Sequence, residues 1–407
     1  MVGPLDDPKA VAPALPVQRG TNQAGMRASN ERLVLSLVRS SGALSKTEIA
    51  RMTGLSAQTV SVIMRQLEAE SLLRRGTPTR GRVGQPSVPL SLDPDGAYFL
   101  GVKVGRRSLD LVMVDFAGCE RHAATMPHAY PLPGPALEWI RSEVATCERV
   151  LGPAAGRVAG LGLALPFLLW EWTDAIGAPA AEMDAWRDFD LRAELAARLP
   201  YPIFAQNDAT AACGAELAFG AHADLRDFLY IYVGTFVGGG LVLDGKLYSG
   251  PRGNAGALGP MPVPGPRGGV VQLIDVASLS GLEQRLRASG DALRAGLTPD
   301  HWSSKGGPVA DWIEGAAAGL AHAVVAAASV VDCKAVVLDG SFPPEVRMRL
   351  VDATAGAIGR LDTSGVNVPE LRPGSIGPMA RALGGASLPL FERFLIEPGG
   401  LAASGSA

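Results

Sequence analysis

Apolar residues along the first hundred positions follow helical spacing. From Ser29 onward Leu33, Val34, Leu37 and Val38 recur with that period and stop before Gly42, which predicts a helix with one buried face. Ser45-Lys46-Thr47-Glu48 follows. A Ser hydroxyl three residues ahead of a Glu lets each side chain satisfy the other residue's amide, so this tetrapeptide predicts the start of a second helix. Ile49, Ala50 and Met52 are the expected buried face of that helix. Gly54 permits a sharp turn, Leu55 can plug the core, and Ser56 caps a third helix. Val60, Ile63, Met64 and Leu67 form its apolar stripe, which leaves Gln58, Thr59, Ser61 and Arg65 mostly on the other face. Beyond Leu73, Arg74-Arg75-Gly76 and then Arg80-Gly81-Arg82-Val83-Gly84-Gln85-Pro86 predict a β-hairpin wing followed by a basic strap. Residues 1–25, rich in Pro, Ala and Gly without periodicity, predict a disordered tail.

After Pro94 the period changes to that of strands. Tyr98–Val104 and Leu109–Asp115 predict two strands joined by Gly105-Arg106-Arg107-Ser108, and Phe228–Val233 and Gly239–Asp244 predict a second pair joined by a Gly-rich turn. The spacing from Gly105 to Asp115 equals that from Gly234 to Asp244, which predicts a duplicated, two-lobed α/β fold. The apolar run Val158–Trp170 is too short to span a bilayer and contains Pro166, so it reads as a buried strand and loop. The chain thus divides into a tail (1–25), a winged helix-turn-helix (26–92) and a larger body (93–407). Within the body a small lobe is expected over about 93–205 plus a C-terminal helix, and a large lobe over about 206–375.

Charge sharpens this division. Residues 1–92 hold twelve Lys/Arg and six Asp/Glu, a balance of +6, so the remaining 315 residues carry −9 of the total of −3. A basic front on an acidic body fits a nucleic-acid arm. In a helix-turn-helix the second helix presents its N-terminal side chains to base edges. Gln58 is the expected base reader, since its amide pairs with adenine in two places. Ser45, Ser56, Thr59, Ser61, Arg65, Arg74, Arg75, Arg80 and Arg82 complete the expected DNA contacts, mostly to the backbone. A plain helical bundle with a flexible basic linker is the competing reading of this segment. The cysteines, Cys119, Cys147, Cys213 and Cys333, are scattered and the five histidines show no ligand spacing, so no metal site is expected. The N-terminus lacks a signal-type apolar core, which predicts a cytoplasmic protein with no membrane partner.

Ordered motifs from Ser29 to Leu395 resemble the ROK family (repressors, open reading frames and sugar kinases), in its transcription-regulator branch. They include Gly160-Leu161-Gly162-Leu163-Ala164-Leu165-Pro166, Gln206-Asn207-Asp208-Ala209-Thr210, Gly234-Thr235-Phe236-Val237-Gly238-Gly239-Gly240 and Asn254-Ala255-Gly256-Ala257-Leu258-Gly259, behind the winged helix. The resemblance implies an α/β architecture: an N-terminal winged helix-turn-helix, then a two-lobed actin/hexokinase-like (RNase H-like) ATPase fold. It further implies a sugar site at Pro166, Asn207, Asp208, Asn254 and Gly256. In the family's kinases Asp208 would be the general base; here it is expected to be vestigial, with no catalytic residue.

Departures from the family pattern carry that expectation. The first phosphate turn lacks its metal-positioning carboxylate and holds Arg106-Arg107; the second keeps Gly234, Thr235, Gly238 and Gly239 but places Phe236 where the family has glycine. Gly105, Gly234, Thr235, Gly238 and Gly239 are therefore expected to be remnants of phosphate loops, with neither ATP nor zinc bound. Ala257 and Pro260 replace the family's Glu and His, and Ile274 replaces a later Glu. The expected function is a DNA-binding regulator, a repressor of carbohydrate genes with operator DNA and a sugar-like effector as partners, acting as a homodimer or tetramer. Two alternatives stay open: an ATP-dependent sugar kinase with a DNA-binding head, and a ligand-independent DNA-binding or assembly protein.

Overall fold

A computed structural model describes residues 23–78, 88–166, 169–171, 173, 177–290, 297, 301–302 and 306–395. Arg80 and Arg82 in the basic stretch lie outside the described residues.

Three helices open the described residues: α1 (Gln23–Ser41), α2 (Lys46–Thr53) and α3 (Ala57–Ala69). The start of α2 follows from local chemistry. The Glu48 N–H donates to Ser45 Oγ at 3.3 Å while the Ser45 N–H donates to Glu48 Oε2 at 2.8 Å. Gly54, at φ 70°, closes α2 in the left-handed region that favours glycine, and Ser56 Oγ caps α3 by accepting from the Thr59 N–H at 3.1 Å. Val60, Ile63, Met64 and Leu67 are buried, as their spacing predicts. Met52 is not: it is 45% exposed. The place beside Ile49 is taken by Thr53, four residues on, whose hydroxyl donates to the Ile49 carbonyl at 2.7 Å and so enters the core satisfied.

The wing also differs from expectation. Strand β1 (Leu73–Arg75) pairs antiparallel with β2 (Leu90–Leu92), Leu73 opposite Leu92, and Leu44 bridges to Leu90. The basic stretch therefore lies inside the hairpin's connection and is not a strap following it. A closing strand of three residues is too short to show a period in the sequence.

Among the described residues the body contains two five-stranded sheets. The first is built from β3 (Tyr98–Val104), β4 (Ser108–Asp115), β5 (Glu120–Pro127), β6 (Val158–Leu165) and β7 (Ile203–Asn207), in the order β5-β4-β3-β6-β7. The chain continues through β8 (Phe228–Val233), β9 (Val237–Leu243), β10 (Lys246–Tyr248), the small hairpin β11 (Pro262–Pro264) and β12 (Val270–Gln272), β13 (Ala335–Gly340) and β14 (Glu370–Pro373). The second sheet runs β10-β9-β8-β13-β14. In each, three antiparallel strands are followed by two parallel ones in the same order, which is the duplication the repeated hairpins imply. Gly238, Gly239 and Gly240 belong to β9 and not to the turn. At Gly238 and Gly240 the missing side chain admits the neighbouring helix: a Cβ there would lie 2.6 Å from Ala209 Cβ and 2.5 Å from Cys213 Cβ, respectively.

Two helices pack together, Asp208–Phe219 lying against β9 of the second sheet and Ala380–Phe394, which returns from later in the chain, against β3 and β6 of the first. Their approach is backbone to backbone. A Cβ on Gly384 would sit 1.9 Å from the Ala211 carbonyl oxygen, and one on Gly162 of β6 would sit 2.0 Å from that of Gly385. The helix Pro308–Ala328 is long and apolar enough to cross a membrane, but Trp312, Ala316, Leu320 and Val324 bury it in the second lobe's core.

Head and body share one apolar core. Val34, Val38, Ile49, Met64 and Leu90 join a cluster with Phe99, Phe116, Ala386 and Leu390. Phe99, Phe116 and Phe394 meet with ring centroids 5.0–6.1 Å apart, in the geometry aromatic rings favour.

Candidate functional site

On the head, Gln58 and Arg65 are exposed, Ser56 is exposed, and Thr59 and Ser61 are half-buried on the same helix. Their polar atoms are partly committed. Ser56 Oγ and Thr59 Oγ1 lie 2.8 Å apart, and Arg65 Nε donates to the Ser61 carbonyl at 3.1 Å. Ser45 does not fit the expected contact surface: it is 8% exposed and its hydroxyl is held 2.7 Å from Glu48 Oε2. Arg75 is paired with Glu68, its Nη2 donating at 3.2 Å, while Arg74 is exposed.

Arg39 belongs to the basic front by sequence but turns inward. Its Nη1 donates to the Phe116 carbonyl and its Nη2 to the Ala218 carbonyl, both at 3.0 Å, and its guanidinium lies 5.3 Å from the Phe219 ring centroid. Burial lowers its pKa to about 10, against the pull of Asp115, so it stays charged at neutral pH. Ala218 and Phe219 end the helix that Asp208 begins.

A cleft of about 550 Å³ lies between the lobes at the other end of that helix. Pro166, Asn207, Asp208 and Asn254 line it, as the sequence suggests, together with Gly238 and Gly239. Gly256 does not line it: at φ 78° it is pressed against the strand behind, where a Cβ would lie 2.7 Å from Gly240 Cα. Gly105, Gly234 and Thr235 are also set back from the wall; the Gly105 N–H closes the β3–β4 turn onto the Ser108 carbonyl, and the Gly234 and Thr235 carbonyls accept from Leu279 and Ser280. Asn207 Oδ1 accepts from the Ala209 and Thr210 amides at 3.1 and 3.3 Å, so its oxygen is used as a helix cap. Ala257, Pro260 and Ile274 also line the cleft, making its wall apolar where the family pattern is acidic and basic.

The buried charges in and behind the cleft include two that the sequence did not single out, Arg381 and Lys103. Arg381, 8% exposed, donates from Nη1 to Asp208 Oδ2 at 3.3 Å, and its guanidinium lies 5.0 Å from the Tyr232 ring centroid. Arg106, 9% exposed, stacks over Phe236 at 4.1 Å. Burial lowers its pKa to about 10, opposed by Asp208 and reinforced by Arg381. Behind the turn, Lys103 and Asp110 form a buried ion pair, and burial holds the Lys103 pKa near 8. Each such residue had a faint signal: Lys103 is the lone charge in Tyr98–Val104, and Arg381 the lone charge in Pro378–Ser387. Isolated charges in apolar surroundings mark buried pairs. Trp186 is core, its Nε1 donating to the Pro131 carbonyl at 3.0 Å.

Residues 99–388 match the ROK family. The chain belongs to that family. Residues 25–82 match the MarR family, which covers the helical head. An uncharacterized protein, y4fQ, of Sinorhizobium fredii is 27% identical over 93% of this chain and 94% of its own length. The xylose repressor of Bacillus subtilis is 23% identical over 60% of this chain, a match that spans 62% of the repressor. Among solved structures, a ROK family transcriptional regulator described as a homolog of the E. coli MLC protein superposes with TM-score 0.66 at 19% identity, covering 92% of this chain and 97% of that one. This ROK chain therefore has the winged-helix-plus-kinase-like architecture over nearly its whole length.

Proposed function

We propose that the protein is a sequence-specific DNA-binding transcription regulator, a repressor of carbohydrate-metabolism genes, whose effector occupies the cleft between the lobes. One observation carries the coupling: the helix Asp208–Phe219 begins at the cleft and ends under Arg39 of the head. Its twelve residues span about 18 Å at 1.5 Å per residue. A ligand that changes lobe closure would move Asp208, and through this helix the support on which α1 rests. It must bind one arrangement more tightly than the other to do so. Similarity to xylose repressors supports the repressor reading. Operators with two-fold symmetry suit a homodimer, the assembly we infer, in the cytoplasm.

Phosphoryl transfer is not part of this proposal. The reaction depends on positioned phosphates and a metal, and Arg106 with Phe236 fills one side of the cleft while Asp208 is held by Arg381. Hexose-dependent ADP release no greater than that of Asp208→Asn is expected; release abolished by that substitution would restore the kinase reading. Capture of genomic DNA fragments by the purified full-length protein tests the main proposal. Enrichment of a few fragments sharing a palindrome that survives higher salt is expected, and uniform binding lost with salt would refute sequence-specific recognition.

A further inference from the structure

Val62 is a large apolar side chain left 43% exposed on α3. The helix buries Val60, Ile63, Met64 and Leu67 in the core that head and body share, and Val62 stands outside that core. A lone exposed valine ordinarily needs no explanation; the setting of this one distinguishes it. It lies four residues after Gln58, so the two side chains share one face of the helix, and Arg65 follows three residues later, exposed as they are. Arg65 Nε donates to the Ser61 carbonyl at 3.1 Å, which draws that guanidinium back along the helix. Four residues advance about 6 Å along the axis at 1.5 Å each, against about 3.4 Å per base step in DNA. A base pair one or two steps from the one that Gln58 meets is therefore within reach of Val62.

The chemistry of the side chain fits one feature of that surface. Branching at Cβ lowers helix propensity but holds χ1 of a helical valine to one rotamer, so its two methyl groups have fixed directions and lose little freedom on contact. On base edges in the major groove, donors and acceptors alternate with a single apolar group, the C5 methyl of thymine. The surroundings favour DNA over another protein as the partner. Residues 1–92 carry twelve Lys/Arg against six Asp/Glu, and Arg51, Arg65 and Arg74 of the head are exposed. The centre of a protein interface is depleted of charge, whereas the phosphates on either side of a groove complement it. Resting on the DNA-binding reading above, we propose that Val62 is a specificity-determining residue. It packs on the C5 methyl of a thymine one or two base pairs from the adenine that Gln58 reads, so each operator half-site holds an A·T pair recognised by its methyl group.

The test uses the full-length protein and the operator recovered by genomic capture, with each thymine of a half-site replaced in turn by uracil. That exchange removes the methyl group and keeps the base pair. The wild type is expected to lose about fourfold in affinity at one or two of these thymines, the transfer value of one buried methyl group. Val62→Ala is expected to bind the natural operator about fourfold more weakly and to bind it and the sensitive uracil duplexes alike, since the two changes remove the same contact. Alanine is the better helix former at this exposed position, so the variant's unfolding midpoint should be no lower than that of the wild type. No thymine sensitive to uracil, or a uracil effect of the same size in both proteins, would overturn the inference. So would a Val62→Ala protein that binds every duplex as the wild type does but differs in sedimentation, which would assign Val62 to a protein contact. Operator preference without a methyl effect leaves the regulator reading standing, whereas a wild type that prefers no sequence removes the reading beneath it.

Discussion

Arg39 Nη2 donates to the carbonyl oxygen of Ala218 at 3.0 Å, tying the first helix of the head to the last turn of a helix that starts in the cleft. The same guanidinium reaches the Phe116 carbonyl, so one cation satisfies two carbonyls and faces the Phe219 ring. Arg39→Ala removes these together and leaves both carbonyls short of a donor. A stability loss of about 1–3 kcal/mol is expected in urea unfolding, with any ligand effect on operator affinity reduced. Full ligand response in a folded Arg39→Ala protein would show that the signal travels elsewhere.

The close approach at Gly384 yields a second expectation. Alanine there would place Cβ 1.9 Å from the Ala211 carbonyl oxygen, which is backbone and cannot swing away. The two helices must separate, at a cost of about 3 kcal/mol in a packed core, and the unfolding midpoint should fall. An unchanged midpoint would mean that the helices have room to part.

His128 gives a pH dependence. Burial lowers its pKa to about 4, with the Lys103 charge adding to the effect. Between about pH 6.5, the unfolded value, and about 4 the unfolded chain takes up a proton that the folded chain refuses. Stability from this group is therefore full above about 6.5 and is lost as pH falls through that window. His128→Gln should flatten the acid limb of the stability curve measured by denaturant unfolding; an identical limb in the variant would assign the loss to other groups.

Much of this organisation could be read along the chain because its signals are local. The capping box at Ser45 and Glu48, the stripe from Val60 to Leu67 and the matched hairpins each lie within a short window. The groups that characterise the cleft are joined across long separations. Arg381 meets Asp208 from 173 residues away, and Arg39 meets Ala218 from 179. Sequence shows that such charges are isolated but not which partner they find. Gly256 was legible as a motif residue but not as a backbone contact, because that role depends on a strand sixteen residues earlier. The wing was misplaced since β2 has only three residues and its pairing with β1 is set by Leu44 and Leu92 in the shared core.

Affinity of the wild-type protein and of Gln58→Ala for a captured operator and for a scrambled duplex, at one fixed salt concentration, shows whether the head reads DNA sequence. Gln58 is exposed on the outer face of α3. The wild type is expected to prefer the operator by about a thousandfold or more. Gln58→Ala is expected to lose about 1–3 kcal/mol, roughly 5- to 150-fold, on the operator and almost nothing on the scrambled duplex. Equal wild-type affinity for the two duplexes would contradict the account, because the head would then hold DNA without reading it.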